Sequence, residues 1–160
     1  YTAKVAGTEM GVDEPQATFS ACFGAAFLVR PPSVYAEMLA DKIREHDAEV
    51  WLVNTGLTGG PYGTGHRVPL QYTRAMIDAI HDGSLLETPK ETEPVFGLAV
   101  PTECPGVPTD ILRPRETWGD PAAYDEKART LVGLFDEHFE QYREMASPEI
   151  VEAGPRLEAA

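Results

Sequence analysis

The run VWLVNTGLTGGPYGTGHRVPLQYTRAMIDAI, from Val50 to Ile80, decides how the rest of the chain is read. It opens on four apolar residues, Val50-Trp51-Leu52-Val53, and breaks at Asn54-Thr55-Gly56. A short continuous apolar run closed by turn residues predicts a buried strand. Five glycines follow between Gly56 and Gly65. From Pro69-Leu70 onward, Thr73, Met76, Ile77 and Ile80 recur at i, i+3, i+4 and i+7, which predicts a helix over 70–81 with these residues facing inward. Gly83 stands where a left-handed residue commonly closes a helix. Strand, glycine-rich loop and helix in succession bring backbone close to a nucleotide or phosphate, because glycine accepts positive φ and carries no side chain.

One phosphate-binding motif is excluded. Gly60-Pro61-Tyr62-Gly63-Thr64-Gly65 has the glycine spacing of a Walker A loop. That loop needs a Lys for the β- and γ-phosphates and a Ser or Thr for Mg²⁺ directly after it. His66 and Arg67 stand there instead.

Outward from this stretch, residues 1–6 predict a strand and the polar segment Met10 to Gln16 a loop. Ala17 to Val29, with Phe19, Phe23 and Phe27 at spacing four, reads as an irregular buried segment with short strands. Pro31-Pro32-Ser33 starts a helix with Ser33 as N-cap and Tyr35, Met38, Leu39 and Ile43 inward. Beyond Gly83, a polar connector to Glu93 leads to a short strand over Val95 to Val100. Pro101 to Pro121 is proline-rich and predicts an ordered, non-repetitive loop whose fixed φ angles lower the entropy lost on folding. Asp120-Pro121 then supplies an N-cap and a proline at the first helical position. The helix it starts runs to about Met145 and buries Tyr124, Ala128, Leu131, Phe135, Phe139 and Tyr142. The fold class is therefore mixed α/β, with one domain over 1–146 and a tail over 147–160.

The chain has 160 residues, 42% of them apolar and 24% charged, which is ordinary for a globular protein. A net charge of −13 argues against a nucleic-acid partner, since phosphate backbones call for clustered Lys and Arg. An acidic chain that binds a nucleotide needs a local basic spot, and Arg67 with Arg74 provides one. The nearly apolar run Ala21 to Val29 is too short to span a bilayer. Cys22 and Cys104 lie far apart, without CxxC spacing, and read as buried reduced thiols in a cytoplasmic protein. His46, His81 and His138 show no ligand spacing and read as solvated. Gly7-Thr8-Glu9 forms a turn with no assigned role.

Four segments together carry a resemblance. Val53-Asn-Thr-Gly56 with GGPYGTGHR (Gly59 to Arg67) and Thr73-Arg74, TAKVAGTEMGVDEPQATFSACFGAAF (Thr2 to Phe27), PVFGLAVPTECPGVP (Pro94 to Pro108) and ILRPRETW (Ile111 to Trp118) resemble the C-terminal part of the ATP-dependent phosphoenolpyruvate carboxykinases. The likeness covers nearly the whole chain. With Tyr1 rather than Met in first place, the expectation is about the last third of a longer enzyme.

That resemblance implies part of a C-terminal nucleotide-binding domain. It implies conversion of oxaloacetate and ATP to phosphoenolpyruvate, ADP and CO₂ in gluconeogenesis, with Mg²⁺ and Mn²⁺. It places the true P-loop, the metal-binding Lys, His and Asp, and the oxaloacetate-binding arginines upstream of Tyr1. No catalytic residue and no metal ligand is expected in this chain, whose partner would be the rest of the same polypeptide, with no membrane involved. Carried over residue by residue, it puts the ATP contact on Arg67, Val68 and Thr73. A guanidinium can stack on adenine or donate to ring nitrogens and phosphate oxygens. Val68 would offer backbone groups and an apolar contact, and Thr73 a hydroxyl that both donates and accepts. Spacing alone favours reading Arg67 as a solvated or salt-bridged surface residue, and it leaves Thr73 open as a first-turn Thr bonded to its own backbone; the resemblance turns both toward the nucleotide. His66 replaces the family's usual Lys and Leu57 its usual Trp, so weaker electrostatic attraction at the loop is expected. The alternative is a non-catalytic nucleotide-binding or regulatory module that keeps the fold.

Overall fold

Helix α2, Leu70–His81, forms where the apolar period predicts it. Its buried residue, however, is Ala79, whereas Ile77 is exposed. The inward face is turned toward Ala75 and Ala79 because neighbouring chain comes close. A Cβ built on Gly106 would stand 3.5 Å from that of Ala75, in ordinary contact, so the chain around Gly106 lies against this face. Asp82 caps the helix through its N–H to the Asp78 carbonyl, and Gly83 follows at φ 81°, the left-handed position expected of it. Its turn leads straight into the short helix α3, Ser84–Glu87, with Leu85 buried.

A computed structural model describes residues 2–4, 10–11, 13, 16–19 and 24–156. Gly7-Thr8-Glu9, Cys22 and Phe23 lie outside them, as do the ends of the strand expected over 1–6. Two compact units partition the chain, Tyr1–Trp51 with Phe135–Glu152 and Leu52–Leu134 with Ala153–Ala160. The secondary structure is mixed helix and strand, in agreement with the expected class.

In the first unit, β1 (Thr2–Lys4) pairs antiparallel with β2 (Gln16–Thr18), Ala3 opposite Ala17. A 3₁₀ turn at Ala25–Phe27 follows, with Phe27 exposed rather than buried as the sequence suggested. Helix α1, Pro32–His46, starts two residues earlier than expected, with Pro31 and not Ser33 as N-cap and no side-chain cap bond. The fixed φ of two successive prolines sets the first turn without help from a hydroxyl. None of its residues is buried, and Met38 and Leu39, expected inward, are exposed. His138 was expected in solvent; it is half-buried, its ring stacked on Phe19 with centroids 4.7 Å apart.

Residues 48–55 correct the strand expected over 50–53, because they belong to no sheet. Val50 and Leu52 are 65% and 80% exposed, while Trp51 and Val53 are half-buried. An apolar run is only a candidate for burial. A strand also needs a neighbour to take its N–H and C=O groups, and among the described residues none lies alongside.

The second unit holds two antiparallel hairpins. One joins β3 (Leu57–Thr58) to β4 (His66–Arg67), and the other joins β5 (Lys90–Thr92) to β6 (Ala99–Pro101). The second replaces both the polar connector and the strand expected over 95–100. Val95 and Phe96 sit in its turn, because the Glu93 carboxylate accepts their N–H groups at 3.1 and 2.6 Å. The proline-rich segment is more regular than a loop. It contains a Cys104–Val107 bridge, a 3₁₀ turn at Thr109–Leu112 and helix α4, Pro114–Thr117.

Helix α5, Pro121–Arg143, is capped as predicted, with the Ala122 N–H donating to Asp120 Oδ1 at 2.9 Å. Its buried residues are Ala128 and Val132, which pack with Val95, Phe96 and Tyr124. Val132, missing from the sequence-derived list, is 0% exposed. Burying such a side chain contributes about 1.5–3 kcal/mol. Past α6 (Pro148–Glu152), the Arg156 N–H donates to the Val95 carbonyl at 2.8 Å and ties the tail to this core. No helix among the described residues is long and apolar enough to cross a membrane.

Candidate functional site

The first hairpin carries two of the three residues expected to meet a nucleotide. Leu57 pairs with Arg67 and Thr58 with His66, and the Val68 N–H extends the ladder to the Gly56 carbonyl at 3.0 Å. Asn54 sets the entry, accepting the Gly56 N–H at 2.9 Å on Oδ1 and donating from Nδ2 to the Leu57 carbonyl at 3.1 Å. At the tip, Thr64 and Gly65 both donate to the Pro61 carbonyl, at 3.1 and 2.7 Å. Glycine is required at 65, where a Cβ would overlap the Gly60 carbonyl oxygen. At Gly59, φ is 77° and a Cβ would come within 3.0 Å of the His66 ring, so the two arms lie against each other.

This hairpin is held from far along the chain. Thr117, at the end of α4, lies with Oγ1 3.1 Å from Thr58 Oγ1 and 3.1 Å from the Gly59 nitrogen. Sequence reading missed Thr117, because nothing in the spacing of ILRPRETW announces a contact with a segment nearly sixty residues earlier.

Arg67 and His66 project from β4 into solvent. Among the described residues, the Arg67 and Arg74 guanidiniums have no ion pair. Val68 is 7% exposed, and with its N–H given to Gly56 its carbonyl is the backbone group left to a ligand. Thr73 is half-buried in the first turn of α2, its N–H on the Pro69 carbonyl at 3.3 Å. Among the described residues the Thr73 hydroxyl makes no hydrogen bond. The hairpin end and the first turn of α2 thus set two cationic side chains, a carbonyl and a hydroxyl within one short stretch of chain.

A cleft of about 690 Å³ lies elsewhere in the unit, between β5, β6, α4 and the start of α5. Its arginines are already neutralised. Arg115 holds Asp125 through two bonds of 2.7 and 2.9 Å, and Arg113 reaches Glu91 at 3.3 Å and Glu116 at 3.6 Å. The Arg115 guanidinium keeps Asp125 below the usual carboxylate range, and burial raises Tyr124. With Glu93 also on the wall, the lining carries more carboxylates than guanidiniums and repels a polyphosphate. Cys104, buried as expected, has its thiol pushed up by burial and, less, by Asp82.

Residues 1–110 match the phosphoenolpyruvate carboxykinase family. The chain is 79% identical over its whole length to phosphoenolpyruvate carboxykinase (ATP) 2 of Salinibacter ruber, covering 30% of that protein. Over 99% of its length it is 58% identical to phosphoenolpyruvate carboxykinase (ATP) of Thermus thermophilus, again covering 30% of the relative. A glycine-rich hairpin feeding a helix, with unpaired arginines beside it, is the kind of surface that nucleotide-binding proteins use. This chain belongs to the ATP-dependent phosphoenolpyruvate carboxykinase family, and it spans about 30% of the length of the relatives it matches.

Proposed function

We propose that this chain supplies the adenine-contacting part of the ATP site in an enzyme that converts oxaloacetate and ATP to phosphoenolpyruvate, ADP and CO₂. In that reaction, loss of CO₂ leaves an enolate whose oxygen attacks the γ-phosphorus of ATP, and ADP departs. The chain's own part is to bind and orient. Arg67 stacks on or donates to the base, the Val68 carbonyl accepts from it, and the Thr73 hydroxyl completes the edge. Preorganised positioning of this kind is where most catalysis of phosphoryl transfer resides. Mg²⁺ and Mn²⁺ accompany the reaction in the family reading. Among the described residues no three His, Cys, Asp or Glu side chains gather to hold a cation, so no metal ligand is assigned here.

The observation that carries this reading is Arg67, exposed and without an ion pair among the described residues, at the end of a hairpin followed by Val68 and, on α2, Thr73, which face the same ligand in the family pattern. The test is kinetic, in a full-length carboxykinase carrying these residues. Arg67→Ala removes a contact worth roughly 1–3 kcal/mol, which is about five- to a hundred-fold in the KM for ATP. Thr73→Val, nearly isosteric, costs about 1 kcal/mol. The KM for oxaloacetate stays nearly constant in both. A rise in the oxaloacetate KM with ATP spared would move Arg67 to the acid-binding group instead.

A further inference from the structure

We infer that Thr117 is a positioning residue for nucleotide binding: its hydroxyl closes the glycine-rich hairpin and so fixes the backbone from which Arg67 projects. This inference rests on the adenine reading above. The valence of the hydroxyl settles the direction of each bond. Thr117 Oγ1 lies 2.7 Å from the Pro114 carbonyl, which can only accept, so its one hydrogen goes there. The Gly59 N–H, at 3.1 Å, can only donate and fills one lone pair. Thr58 Oγ1, also at 3.1 Å, must then donate to the other. All three bonding positions of one hydroxyl are used, and two of them bind the hairpin.

The hairpin has no internal substitute for this bond. Thr58, at 7% exposed, is the buried polar side chain of the second unit, and its hydroxyl has no other partner among the described residues. Thr58 and Gly59 are the last strand residue and first loop residue on the β3 side. The ladder partner of Thr58 is His66, and Leu57 beside it pairs with Arg67. A shift at Thr58 is therefore passed one register step to Arg67. Thr117→Val keeps the shape but leaves the buried Thr58 hydroxyl and the half-buried Gly59 N–H without their acceptor. Thr117→Ser keeps the acceptor.

The experiment uses a full-length carboxykinase carrying these 160 residues, with amide hydrogen exchange at Gly59 read beside the kinetics. For Thr117→Val the expected result is faster exchange at Gly59 and a KM for ATP raised on the order of tenfold, the scale of one to two part-buried bonds lost. The KM for oxaloacetate stays within about twofold, and Thr117→Ser restores both readouts. Should Thr117→Val fail to fold, Thr58→Val removes one of the hairpin's two bonds and gives a smaller rise in the same KM. Arg67→Ala, measured alongside, separates the two claims. If it raises the ATP KM while the Thr117 and Thr58 variants change neither KM nor exchange, the clamp is overturned and the adenine reading stands. If it spares the ATP KM while Thr117→Val raises it, the clamp stands and the adenine contact must be made by another group.

Discussion

The two hairpins of the second unit are closed in opposite ways. The β5–β6 hairpin closes locally, through the Glu93 carboxylate on the N–H groups of Val95 and Phe96, two and three residues away. The β3–β4 hairpin, beyond its own tip bonds at Pro61, is held remotely, through a threonine 58 and 59 residues further on. The locally closed one borders the 690 Å³ cleft, yet that cleft is lined by carboxylates and by arginines already paired. The remotely closed one presents the Arg67 and Arg74 guanidiniums, which have no ion pair among the described residues. Size alone points an anionic ligand to the β5–β6 hairpin. Charge and hydrogen-bonding capacity choose the other.

The sharpest way to break the contrast is Gly65→Ala. The new Cβ overlaps the Gly60 carbonyl, and relief means opening the loop, at a cost of roughly 2–3 kcal/mol typical of overpacking. The ATP KM should rise at least tenfold with the thermal stability of the β5–β6 side unchanged. Differential hydrogen exchange over both hairpins reads this directly. Next in size is Val132→Ala, which leaves a void beneath Val95 and Phe96 and costs about 2 kcal/mol. Its effect belongs to the second hairpin, so denaturant melts should shift while the ATP KM holds.

Glu93→Gln should cost less, about 1–2 kcal/mol, because the turn keeps one acceptor oxygen but loses the other and the charge. Accelerated exchange at Val95 and Phe96, with Gly59 unaffected, is the expected pattern. The smallest effect is the pH dependence of the cleft. Arg115 lowers the folded-state pKa of Asp125 below its unfolded value. The pair's contribution is therefore present above about pH 4 and fades as pH falls through the lower folded value. Asp125→Asn should melt slightly earlier than wild type at neutral pH, and the gap should close in acid. The pair is solvent-exposed, so the shift is small.

Local features of the sequence were legible and remote ones were not. Helix α2, its Gly83 terminator and the Asp120 cap of α5 are each written within a few residues, and all three are found in place. The run Val50 to Val53 misleads because hydrophobicity says what wants cover, not what lies beside it. Ile77 and Ala79 exchange roles on α2 for a similar reason: the period gives a face, while the close approach of Gly106 decides its centre. The β5–β6 hairpin was hidden because apolar Val95 and Phe96 sit between the turn residues Pro94 and Gly97 and read as part of a strand, while the Glu93 carboxylate takes their N–H groups. Arg67, Val68 and Thr73 could be picked only by resemblance. Thr117 could not be picked at all, since its bond spans a gap that no local pattern encodes.

Photolabelling tests the central assignment most directly. A full-length carboxykinase carrying this segment, irradiated with 8-azido-ATP and digested, should yield label on a peptide within residues 66–74, displaced by excess ATP and reduced by Arg67→Ala. Displaceable label on residues 91–101 or 112–125, with 66–74 unmodified, would place the base in the cleft and contradict the assignment to the glycine-rich hairpin.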